Sequence, residues 1–555
     1  MARIVFVCGE GGGEARRVSV HAEAGQSILE AARLGGVGVE TPCGGEGACG
    51  KCLVTAASTQ EAVPACSTPV KDGEVYAVPD YAGGNKSLRI LSARAMCEYS
   101  AETAPFITKE YSGGRTNVYG GGRLLGGEEG DSSASLYGLA VDIGTTTIVA
   151  ELIDLRQGKT LACESALNPQ TKYAQDVLGR IRFAGKEGGL AALYGSFAGV
   201  LNALSRTLAE RSGIDTKHIY ETVYSGNTTM LHLACNIDPS SLGRHPYTPQ
   251  TTGGVHLMDA GVRLSPFALI YLPPVISAWV GADIASGILA TGLSDKKGLT
   301  LFVDIGTNGE IVLAKDGRLA ASSTAAGPAF EGMNIACGMR AQDGAIEAFA
   351  VREDGSLSFT LIGREGALSE DDAGSAGAAG ICGSGILDIA AELVRTGLVD
   401  KRGRFVQPGG GEAAGKLAAR VRRTDAGTAF FITEGVYISQ NDIRQIQLAK
   451  SAIRSGIELL LARFGVDARD VDRAVIAGSF GYHLNEKSLV TIGLLPPAFA
   501  GKVSFAGNTS LAGAAALLLS APLRERLAEI AARVEKIELA EDAGFEKSFV
   551  KYIGF

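Results

Sequence analysis

The sequence has no excess of positive charge. Its 555 residues include 52 Lys and Arg against 60 Asp and Glu, which gives a formal net charge of −8. Proteins that bind nucleic acid neutralise phosphates with clustered Lys and Arg, so this balance argues against nucleic acid as the main partner. An acidic surface is typical of a cytoplasmic protein that meets other proteins. The length predicts about three domains.

The sequence also has no uninterrupted apolar run that could span a membrane. Residues 264–282 carry no charge, but Pro266, Pro273 and Pro274 interrupt them, and tandem prolines break a spanning helix. The apolar run at residues 4–8 is too short for the core of a secretory signal. We therefore expect no membrane partner and interpret residues 264–282 as buried core.

Four of the ten cysteines form a cluster with the spacing C-x5-C-x2-C-x13-C, namely Cys43, Cys49, Cys52 and Cys66. A disulfide framework suits a short secreted chain, and a structural zinc site usually has two Cys-x2-Cys pairs, whereas this sequence has one. Thiolates in a glycine-rich loop favour an iron–sulfur cluster, and the plant-type 2Fe–2S pattern differs by one residue in its first spacer. Zinc and purely structural thiols remain the alternatives.

The residues around the cysteines agree with a small redox domain. "RIVFVCGE" and "RRVSVHAE" alternate as two hairpin strands would, and "GQSILEAARLGG" predicts a short helix that ends at glycine. The segment resembles the β-grasp 2Fe–2S ferredoxin fold over residues 1–98. Cys66 is favoured as the fourth cluster ligand, Cys97 is the alternative, and Cys8 is interpreted as a core residue.

Residues 99–136 are predicted to form a flexible linker. The stretch "SGGRTNVYGGGRLLGGEEGDSSAS" at 112–135 consists largely of glycine, serine and scattered charges, a composition that does not bury a core. A tether would allow a redox domain to move between partners. An irregular surface connection is the other interpretation.

The remainder of the chain contains two internal echoes. "LAVDIGTTTIVAELID" at 139–154 is repeated as "LFVDIGTNGEIVLAKD" at 301–316, and "YSGNTTMLH" at 224–232 as "FAGNTSLAG" at 505–513. Repeats at this separation indicate a duplicated domain rather than a solenoid, whose period is about 20–50 residues.

The first echo has a chemical interpretation. An apolar strand runs into Asp-x-Gly-Thr and turns back into another apolar strand, and glycine permits the tight turn. Exposed Thr N–H and hydroxyl groups can hold phosphate oxygens, and an aspartate at the strand end can hold Mg²⁺ through water. Two such hairpins that face each other would clamp the phosphates of a nucleotide.

A third glycine-rich turn follows the strand in "RAVIAGSFG" at 473–481. With the two hairpins it resembles the phosphate and adenosine motifs of the actin-like ATPase superfamily. That resemblance implies two ribonuclease-H-like halves around ATP, connected by helices at "GADIASGI" (281–288) and "GNTSLAGA" (507–514). A further helix is predicted at 442–465, with apolar residues at helical spacing. These are Ile443, Ile446, Leu448, Ile453, Ile457, Leu460 and Leu461.

Residues 138–515 are similar, motif by motif, to the reductive activators of corrinoid proteins. The matching segments include "ALNPQTKYAQDVLGRI", "STAAGPAFEGMNIACGMRAQDGAIE", "GICGSGILD" and "AGSFGYHL". Members of that family join a 2Fe–2S ferredoxin domain, a linker and an actin-like ATPase in this order. The implied fold class is α+β and α/β. The domains would be a β-grasp ferredoxin domain (1–98), a linker (99–136) and duplicated ribonuclease-H-like, actin/hexokinase-type ATPase halves (137–297 and 298–555).

The resemblance implies a function, cofactors and partners. The protein would transfer an electron from its 2Fe–2S cluster to Co(II) of an inactive corrinoid protein and restore Co(I), with ATP and Mg²⁺ supporting this uphill step. The corrinoid partner would be a methyltransferase component or a corrinoid iron–sulfur protein, and the electron donor a ferredoxin or flavoprotein. The family also suggests a homodimer.

The resemblance also implies roles for individual residues. Asp142 and Asp304 would organise Mg²⁺ and a water, Glu310 would position the attacking water, and Cys43, Cys49, Cys52 and Cys66 would hold the cluster. A solvated carboxylate is the alternative for Glu310. The nucleotide would be bound by Gly144, Thr145, Thr146, Thr147, Gly306, Thr307, Asn308, Gly309, Gly478, Ser479, Phe480 and Gly481.

Other reactive residues and other functions stay open at this stage. Cys337 and Cys382 could ligate a second cluster, and His232 and His245 could coordinate a corrinoid, but structural roles are the default for all four. One rival function is an actin-like small-molecule kinase with an accessory redox domain. The second is a nonenzymatic binding module that responds to ATP and redox state.

Overall fold

The computed structural model describes most of the chain. The described residues are 1–8, 16–23, 25–35, 37, 39, 52–78, 103–258, 261–369, 377–406, 412–424, 427–478, 484–539 and 542–555. Within them, no helix is long and apolar enough to cross a membrane.

A five-stranded mixed sheet and one helix form the N-terminal unit. The elements are β1 Ala2–Cys8, β2 Arg16–Ala22, α1 Ile28–Leu34, β3 Leu53–Ala56, β4 Ala62–Pro64 and β5 Val75–Val78. The sheet order is β2-β1-β5-β3-β4, with β1 and β2 antiparallel and β1 and β5 parallel. Ser27 and Glu30 cap α1 reciprocally, and Gly35 ends it. This arrangement confirms the predicted β-grasp fold.

The predicted flexible tether is wrong for residues 107–129. This stretch forms a three-stranded antiparallel sheet of β6 Ile107–Ser112, β7 Arg115–Gly120 and β8 Arg123–Glu129. The glycine pairs at 113–114 and 121–122 all have positive φ and make two-residue hairpin turns. The glycines that resembled linker composition therefore serve as turns, and Thr116 and Val118 between them are buried.

A buried lysine attaches this small sheet to the next domain. Lys109, whose side chain is 1% exposed, is 2.9 Å from Glu128 and donates to Ser132 and to the Tyr220 hydroxyl at 2.8 and 2.5 Å. Tyr220 also donates to Glu128 at 2.7 Å. Because Tyr220 belongs to the following six-stranded sheet, the contacts fix the small sheet on that domain.

Two six-stranded sheets repeat one topology in five of their strands. The first contains β9 Tyr137–Ile143, β10 Thr147–Asp154, β11 Lys159–Leu167, β12 Ile219–Gly226, β13 Val255–Leu257 and β14 Leu269–Leu272, in the order β11-β10-β9-β12-β14-β13. The second contains β15 Leu299–Ile305, β16 Gly309–Lys315, β17 Arg318–Thr324, β25 Arg473–Ala477, β26 Val503–Gly507 and β27 Glu535–Lys536, in the order β26-β25-β15-β16-β17-β27. In each sheet an antiparallel three-strand meander continues into two parallel strands. The duplication predicted from the Asp-Ile-Gly-Thr echo is therefore present in the topology.

Smaller sheets and helices complete the two halves. The small strands are β18 Ala345–Val351, β19 Leu357–Leu361, β20 Leu368–Ser369, β21 Gly380–Ile381, β22 Val421–Thr424, β23 Gly427–Phe431 and β24 Tyr437–Ser439. The helices are α2 Val177–Ala184, α3 Gly189–Ser212, α4 Thr228–Ala234, α5 Ala282–Ala290, α6 Gly383–Arg395, α7 Glu412–Ala419, α8 Gln440–Arg463, α9 Glu486–Thr491, α10 Thr509–Leu519, α11 Pro522–Arg533 and α12 Phe545–Tyr552. Short 3-10 helices lie at Pro169–Lys172, Thr216–His218, Ser240–Gly243, Pro328–Glu331, Ala468–Asp470 and Pro497–Phe499.

The halves meet where α5 crosses α10. A Cβ at Gly513 would lie 2.3 Å from the Ser286 carbonyl oxygen, and a Cβ at Gly287 would lie 2.9 Å from the Thr509 hydroxyl. Glycine at both positions allows the two helices to approach backbone to backbone. These are the two connecting helices that the sequence predicts.

The predicted core helix at 442–465 is observed as α8, with one exception in its apolar face. The other apolar residues of the predicted set are buried. Leu448, however, is 42% exposed. Leu448 lies two residues after Ile446, about 200° around the helix, so it faces away from the buried side of α8.

Candidate functional site

The first Asp-x-Gly-Thr segment forms a tight hairpin between β9 and β10. The Gly144 N–H donates to the Thr147 carbonyl oxygen at 2.9 Å. A Cβ at Gly144 would lie 2.7 Å from that same oxygen, so the turn requires glycine. Asp142 is consequently held at the end of β9, with Thr145 and Thr146 at the tip.

The second segment forms a similar hairpin between β15 and β16, with a connection that is one residue shorter. The Gly306 N–H donates to the Asn308 carbonyl oxygen at 3.0 Å, and Asp304 is the cross-strand partner of Glu310. Gly309 packs on α8, where a Cβ would lie 2.6 Å from the Ile453 side chain. Gly309 therefore supports the hairpin from behind.

The third predicted turn begins beside the second hairpin. Gly478 follows β25 with a φ of +117°, and a Cβ there would lie 2.6 Å from the Ile305 carbonyl oxygen and 3.1 Å from Asp304 Oδ1. Glycine is therefore required at this close approach. Ser479, Phe480 and Gly481, which complete the predicted adenosine turn, lie outside the described residues.

One cleft collects residues from all three motifs. Residues predicted from the sequence that line it are Asp142, Gly144, Thr145, Thr146, Thr147, Asp304, Gly306, Thr307, Asn308, Glu310 and Gly478. Gly309 is the one predicted nucleotide-binding residue among the described residues that does not line the cleft, and it lies behind the cleft wall. The lining residues that the sequence did not single out are Asn227, Asp283, Ile305, Phe330, Glu331, Met339, Arg340, Ala341, Gly383, Asn508 and Ser510.

Asp142 is fixed by side chains from the other half of the chain. Asn508 Nδ2 donates to its Oδ2 at 2.8 Å, and the Ser510 hydroxyl donates to its Oδ1 at 2.7 Å. Ser510 is also 2.9 Å from the Ser225 hydroxyl in the first half. Asn508 and Ser510 belong to the repeated segment at 505–513. This segment therefore holds Asp142, the aspartate of the repeated segment at 139–154.

Four carboxylates crowd this cleft. Burial, with the nearby charges of Asp283 and Asp142, raises the pKa of Asp304 to about 8, and burial, with the charge of Asp142, raises that of Asp283 to about 7. Burial and the charges of Asp283 and Asp304 raise the pKa of Glu310 well above its ordinary value, and burial also raises the pKa of Asp142. Clustered carboxylate oxygens of this kind are suited to a hard divalent cation.

A carboxylate also connects the tips of the two hairpins. The Thr146 hydroxyl donates to Glu331 Oε2, and the Thr307 hydroxyl donates to Glu331 Oε1. Glu331 ends the 3-10 helix Pro328–Glu331. The sequence signal for it was its position in the glycine-rich "GPAFEGMN", just as Asp283 lies in "GADIASGI", but neither residue belongs to a repeated motif.

A buried arginine and two asparagines support the first hairpin. Arg180 is fully buried, and its guanidinium donates to the Thr145 carbonyl oxygen and, at 3.0 Å, to the Ala174 carbonyl oxygen. Burial lowers the pKa of Arg180 to about 9. Asn168 Nδ2 donates to the Gly144 carbonyl oxygen at 2.8 Å, and Asn227 Nδ2 donates to the Thr145 hydroxyl at 3.3 Å. Arg180 and Asn168 thus fix the backbone of the hairpin, and Asn227 orients the Thr145 hydroxyl.

Two of the predicted cluster ligands lie next to each other in the N-terminal unit. Cys52 Sγ and Cys66 Sγ are 3.2 Å apart, and the Cys66 N–H donates to Cys52 Sγ at 3.4 Å. Cys52 is buried at 1% exposure, and that burial raises the pKa of its thiol. Two adjacent thiols beside a glycine-rich loop fit the donor set that a 2Fe–2S cluster requires. Cys43, Cys49 and Cys97 lie outside the described residues.

The contacts described for the other candidate ligands are those of residues with a structural role. His232 is buried, with Nδ1–H donating to the Thr228 carbonyl oxygen at 2.7 Å and Nε2 accepting from the Gln250 N–H at 3.1 Å. Cys382 is buried at the start of α6, and its thiol contacts the Ile346 carbonyl oxygen at 3.3 Å. The sulfur of Cys337 accepts from the Tyr437 N–H at 3.5 Å. His245 precedes a cis-proline on the surface.

Three family models match successive parts of the chain. The model described as a 2Fe-2S iron-sulfur cluster binding domain matches residues 13–74. The model described as the RACo middle region matches residues 137–296, and that described as the C-terminal domain of RACo, the ASKHA domain, matches residues 298–555. The first match supports a 2Fe–2S cluster and the last supports ATP binding.

Curated relatives and a solved structure extend this similarity to the whole chain. The chain is 32% identical over 572 residues to "Corrinoid activation enzyme RamQ" of Eubacterium limosum, covering 93% of this chain and 94% of the relative. It is 26% identical over 423 residues to "[Co(II) methylated amine-specific corrinoid protein] reductase" of Methanosarcina barkeri, with coverages of 72% and 73%. A structure titled "Reductive activator for corrinoid,iron-sulfur protein" superposes with a TM-score of 0.73 at 29% identity and covers 100% of this chain and 98% of that one.

Proposed function

This chain belongs to the family of corrinoid activation enzymes, and we propose that it is an ATP-dependent reductive activator of a corrinoid protein. The reaction transfers one electron to the Co(II) of the inactive partner and restores Co(I). The observation that carries the proposal is the cleft in which both Asp-x-Gly-Thr hairpins meet. The N-terminal unit of the same chain places the thiols of Cys52 and Cys66 next to each other.

The cleft is proposed to bind ATP through both hairpins. Hydroxyl and N–H groups at Thr145, Thr146 and Thr147 would hold phosphate oxygens from one side, and Thr307 and Asn308 from the other. The glycines at 144 and 306 keep the hairpin backbones close to the phosphates, and Gly309 supports the second hairpin from behind. Gly478, Ser479, Phe480 and Gly481 would form the turn that contacts adenosine. The arrangement of the described residues in one cleft supports these roles.

Mg²⁺ is proposed to bind between the two halves. Asp142 and Asp304 would organise it, with Asp283 close enough to raise the pKa of Asp304 when the site carries no cation. The ion supplies positive charge that neutralises the phosphates. Glu310, which accepts a hydrogen bond from Ser323 at 3.1 Å, is proposed to position the attacking water.

The cluster is proposed to be held by Cys43, Cys49, Cys52 and Cys66. A bound 2Fe–2S cluster supplies electrons one at a time. The 3.2 Å separation of Cys52 and Cys66 supports Cys66 as the fourth ligand. Cys97 also lies beyond residues 13–74, which contain the other four cysteines of this set.

ATP is required because the electron transfer is uphill. Each 59 mV by which the cobalt couple lies below the donor couple costs about 1.4 kcal/mol. The nucleotide can alter this only if it binds two conformations of the complex with different affinity. Nucleotide occupancy of the interdomain cleft would thus be linked to the complex in which Co(II) is more easily reduced.

The organisation of the chain follows from these roles. We propose a ferredoxin domain at 1–98, a connecting region at 99–136 that carries the small sheet, and ATPase halves at 137–297 and 298–555. An external ferredoxin or flavoprotein would supply the electrons. The partner would be a methyltransferase component or a corrinoid iron–sulfur protein, and the activator would act as a homodimer.

Anaerobic visible spectroscopy tests this function. The dithionite-reduced protein is mixed with a Co(II) corrinoid protein, with and without Mg·ATP, and a Co(I) band is expected only with ATP. Cys52→Ser serves as the control without an electron source. No Co(I) band under conditions where the cluster is reduced would refute the proposal. ATP consumption that depends on a small metabolite would favour a kinase, and nucleotide-dependent complex formation without reduction would favour a binding module.

A further inference from the structure

Glu331 occupies an unusual position for a carboxylate in a phosphate-binding cleft. Its two oxygens accept hydrogen bonds from hydroxyls that lie on different hairpins, Thr146 in the first half and Thr307 in the second. In sequence these hydroxyls are 185 and 24 residues from Glu331. The side chain therefore bridges the two halves of the site.

The same two hydroxyls are proposed above to hold nucleotide phosphate. A threonine hydroxyl has one hydrogen to donate, so it cannot donate to Glu331 and to a phosphate oxygen at once. A carboxylate and a phosphate both offer pairs of charged oxygen acceptors. Glu331 thus occupies, with its own charge, the position that a phosphate group of the nucleotide requires.

Electrostatics disfavours a phosphate beside Glu331. The cleft already contains Asp142, Asp283, Asp304 and Glu310, whose pKa values are raised chiefly by burial and, for the last three, also by neighbouring carboxylates. A phosphate next to Glu331 would add like charges at hydrogen-bonding distance.

We propose that Glu331 is an internal phosphate mimic, which holds the two hairpins together in the nucleotide-free protein and is displaced when nucleotide binds. This inference rests on the proposed nucleotide site and adds a residue that sets its affinity. Glu331 acts through Thr146 and Thr307, so it is a positioning residue rather than a catalytic one.

The segment that carries Glu331 connects the cleft to two helices. Gly327 and Gly332 flank its 3-10 helix with φ values of +78° and +79°. On one side, a Cβ at Gly383 would lie 1.9 Å from the Phe330 carbonyl oxygen, so the start of α6 packs directly on this segment. On the other, the Ala336 N–H donates to Asp442 Oδ1 at 2.8 Å at the start of α8. Displacement of Glu331 would therefore shift the segment that contacts the starts of both helices.

The affinity for a non-hydrolysable ATP analogue tests the proposal. Binding of adenylyl imidodiphosphate is measured by calorimetry to the wild type, Glu331→Asp and Glu331→Gln, both with Mg²⁺ and with EDTA. Aspartate keeps the charge but is one methylene shorter and cannot reach both hydroxyls, while glutamine keeps the length and loses the charge. Both variants are expected to bind about fivefold tighter or more in both buffers, because one competing hydrogen bond contributes about 1 kcal/mol. Glu353→Asp, an exposed position, is the matched control and is expected to equal the wild type.

The possible outcomes separate this inference from the function itself. If the wild type binds no nucleotide, the proposed nucleotide site is wrong and the inference fails with it. If the wild type binds and both Glu331 variants bind equally or more weakly, the inference alone is overturned. Weaker binding only in Mg²⁺ would identify Glu331 as a cation ligand and also overturn it.

Hydrogen exchange supplies a second readout that does not depend on affinity. In the wild type, the analogue is expected to change amide exchange of peptides covering residues 328–339. In Glu331→Asp these peptides are expected to exchange faster without nucleotide and to respond less when it is added. Exchange that is identical in the two proteins in both states would contradict the proposed displacement.

Discussion

The hydroxyl of Ser510 donates to Asp142 at 2.7 Å, although 368 residues separate the two in sequence. Asp142 is the penultimate residue of β9 in the first half, and Ser510 lies in the first turn of α10 in the second half. The contact therefore joins the two halves at the carboxylate that is proposed to organise Mg²⁺. With Asn508 on the other oxygen, the carboxylate has one fixed orientation.

Replacing Ser510 by alanine is expected to weaken the nucleotide site without unfolding it. A hydrogen bond to a charged group contributes about 1.5 kcal/mol or more, so kcat/KM for ATP hydrolysis is expected to fall about tenfold. Ser504→Ala is the control, because Ser504 is exposed on β26. Steady-state ATPase assays and circular dichroism on both variants check the expectation. Wild-type hydrolysis by a folded Ser510→Ala protein would contradict it.

The crossing of α5 and α10 gives a stability prediction. A Cβ at Gly513 would lie 2.3 Å from the Ser286 carbonyl oxygen, which belongs to a helix backbone and cannot move aside. Gly513→Ala is therefore expected to lower the free energy of unfolding by about 2 kcal/mol or more.

Gly195→Ala in α3 is the matched control for that substitution. No atom lies within 4 Å of the position of its Cβ, so alanine is expected to raise the free energy of unfolding by up to about 1 kcal/mol through helix propensity. Urea unfolding followed by circular dichroism measures both changes. Equal effects of the two alanines would show that the helices do not cross as closely as described.

The local motifs of the site were predictable from the sequence because each is a short chemical unit. A strand that ends in Asp-x-Gly-Thr needs its glycine for the turn, and the paired echoes indicated that two such turns serve one cleft. The long-range partners were not predictable. Nothing in the surroundings of Asn508 or Ser510 indicates that they contact Asp142 across the halves.

The amino-acid composition led to the wrong prediction of a flexible linker, because glycine is common both in linkers and in hairpin turns. Residues 112–135 resembled a tether because glycine and serine are abundant in flexible linkers. Paired glycines also make two-residue hairpin turns, and the buried contacts of Lys109 with Glu128 and Tyr220 decide between these uses. Tyr220 lies 111 positions from Lys109 in the sequence, so the composition of residues 112–135 gives no indication of this contact.

The fourth cluster ligand is tested by paired serine variants. Cys66→Ser is expected to lose the 2Fe–2S absorption and most of the bound iron, because Cys66 Sγ lies 3.2 Å from Cys52 Sγ. Cys97→Ser is expected to retain both. Iron analysis and visible spectra of anaerobically reconstituted full-length proteins measure the outcome. Retention of the cluster in Cys66→Ser together with its loss in Cys97→Ser would reverse the assignment.

Asp388 on α6 gives a pH-dependent prediction away from the nucleotide cleft. It accepts hydrogen bonds from the Ser488 hydroxyl at 2.6 Å and from the Phe349 N–H at 3.3 Å, yet burial raises its pKa from 3.8 to about 6. Because the unfolded chain ionises first, this residue lowers the free energy of unfolding as the pH rises from about 4 to 6, and its effect is constant above that. Each pKa unit corresponds to about 1.4 kcal/mol, so the full effect is up to about 3 kcal/mol.

Asp388→Asn is expected to remove that loss. Asparagine stays neutral, and it can accept from the Phe349 N–H while donating to the Ser488 hydroxyl, so the variant should gain stability over the wild type as the pH rises from 4.5 to 7. Asp354→Asn is the control, because hydrogen bonds from Ser356 lower the pKa of that exposed carboxyl, so it is ionised in the folded and unfolded chain throughout this range and its stability difference from the wild type is expected not to change with pH. Urea unfolding of the three proteins across this range measures the differences. A stability difference between Asp388→Asn and the wild type that does not change with pH would show that Asp388 ionises alike in the folded and unfolded chains.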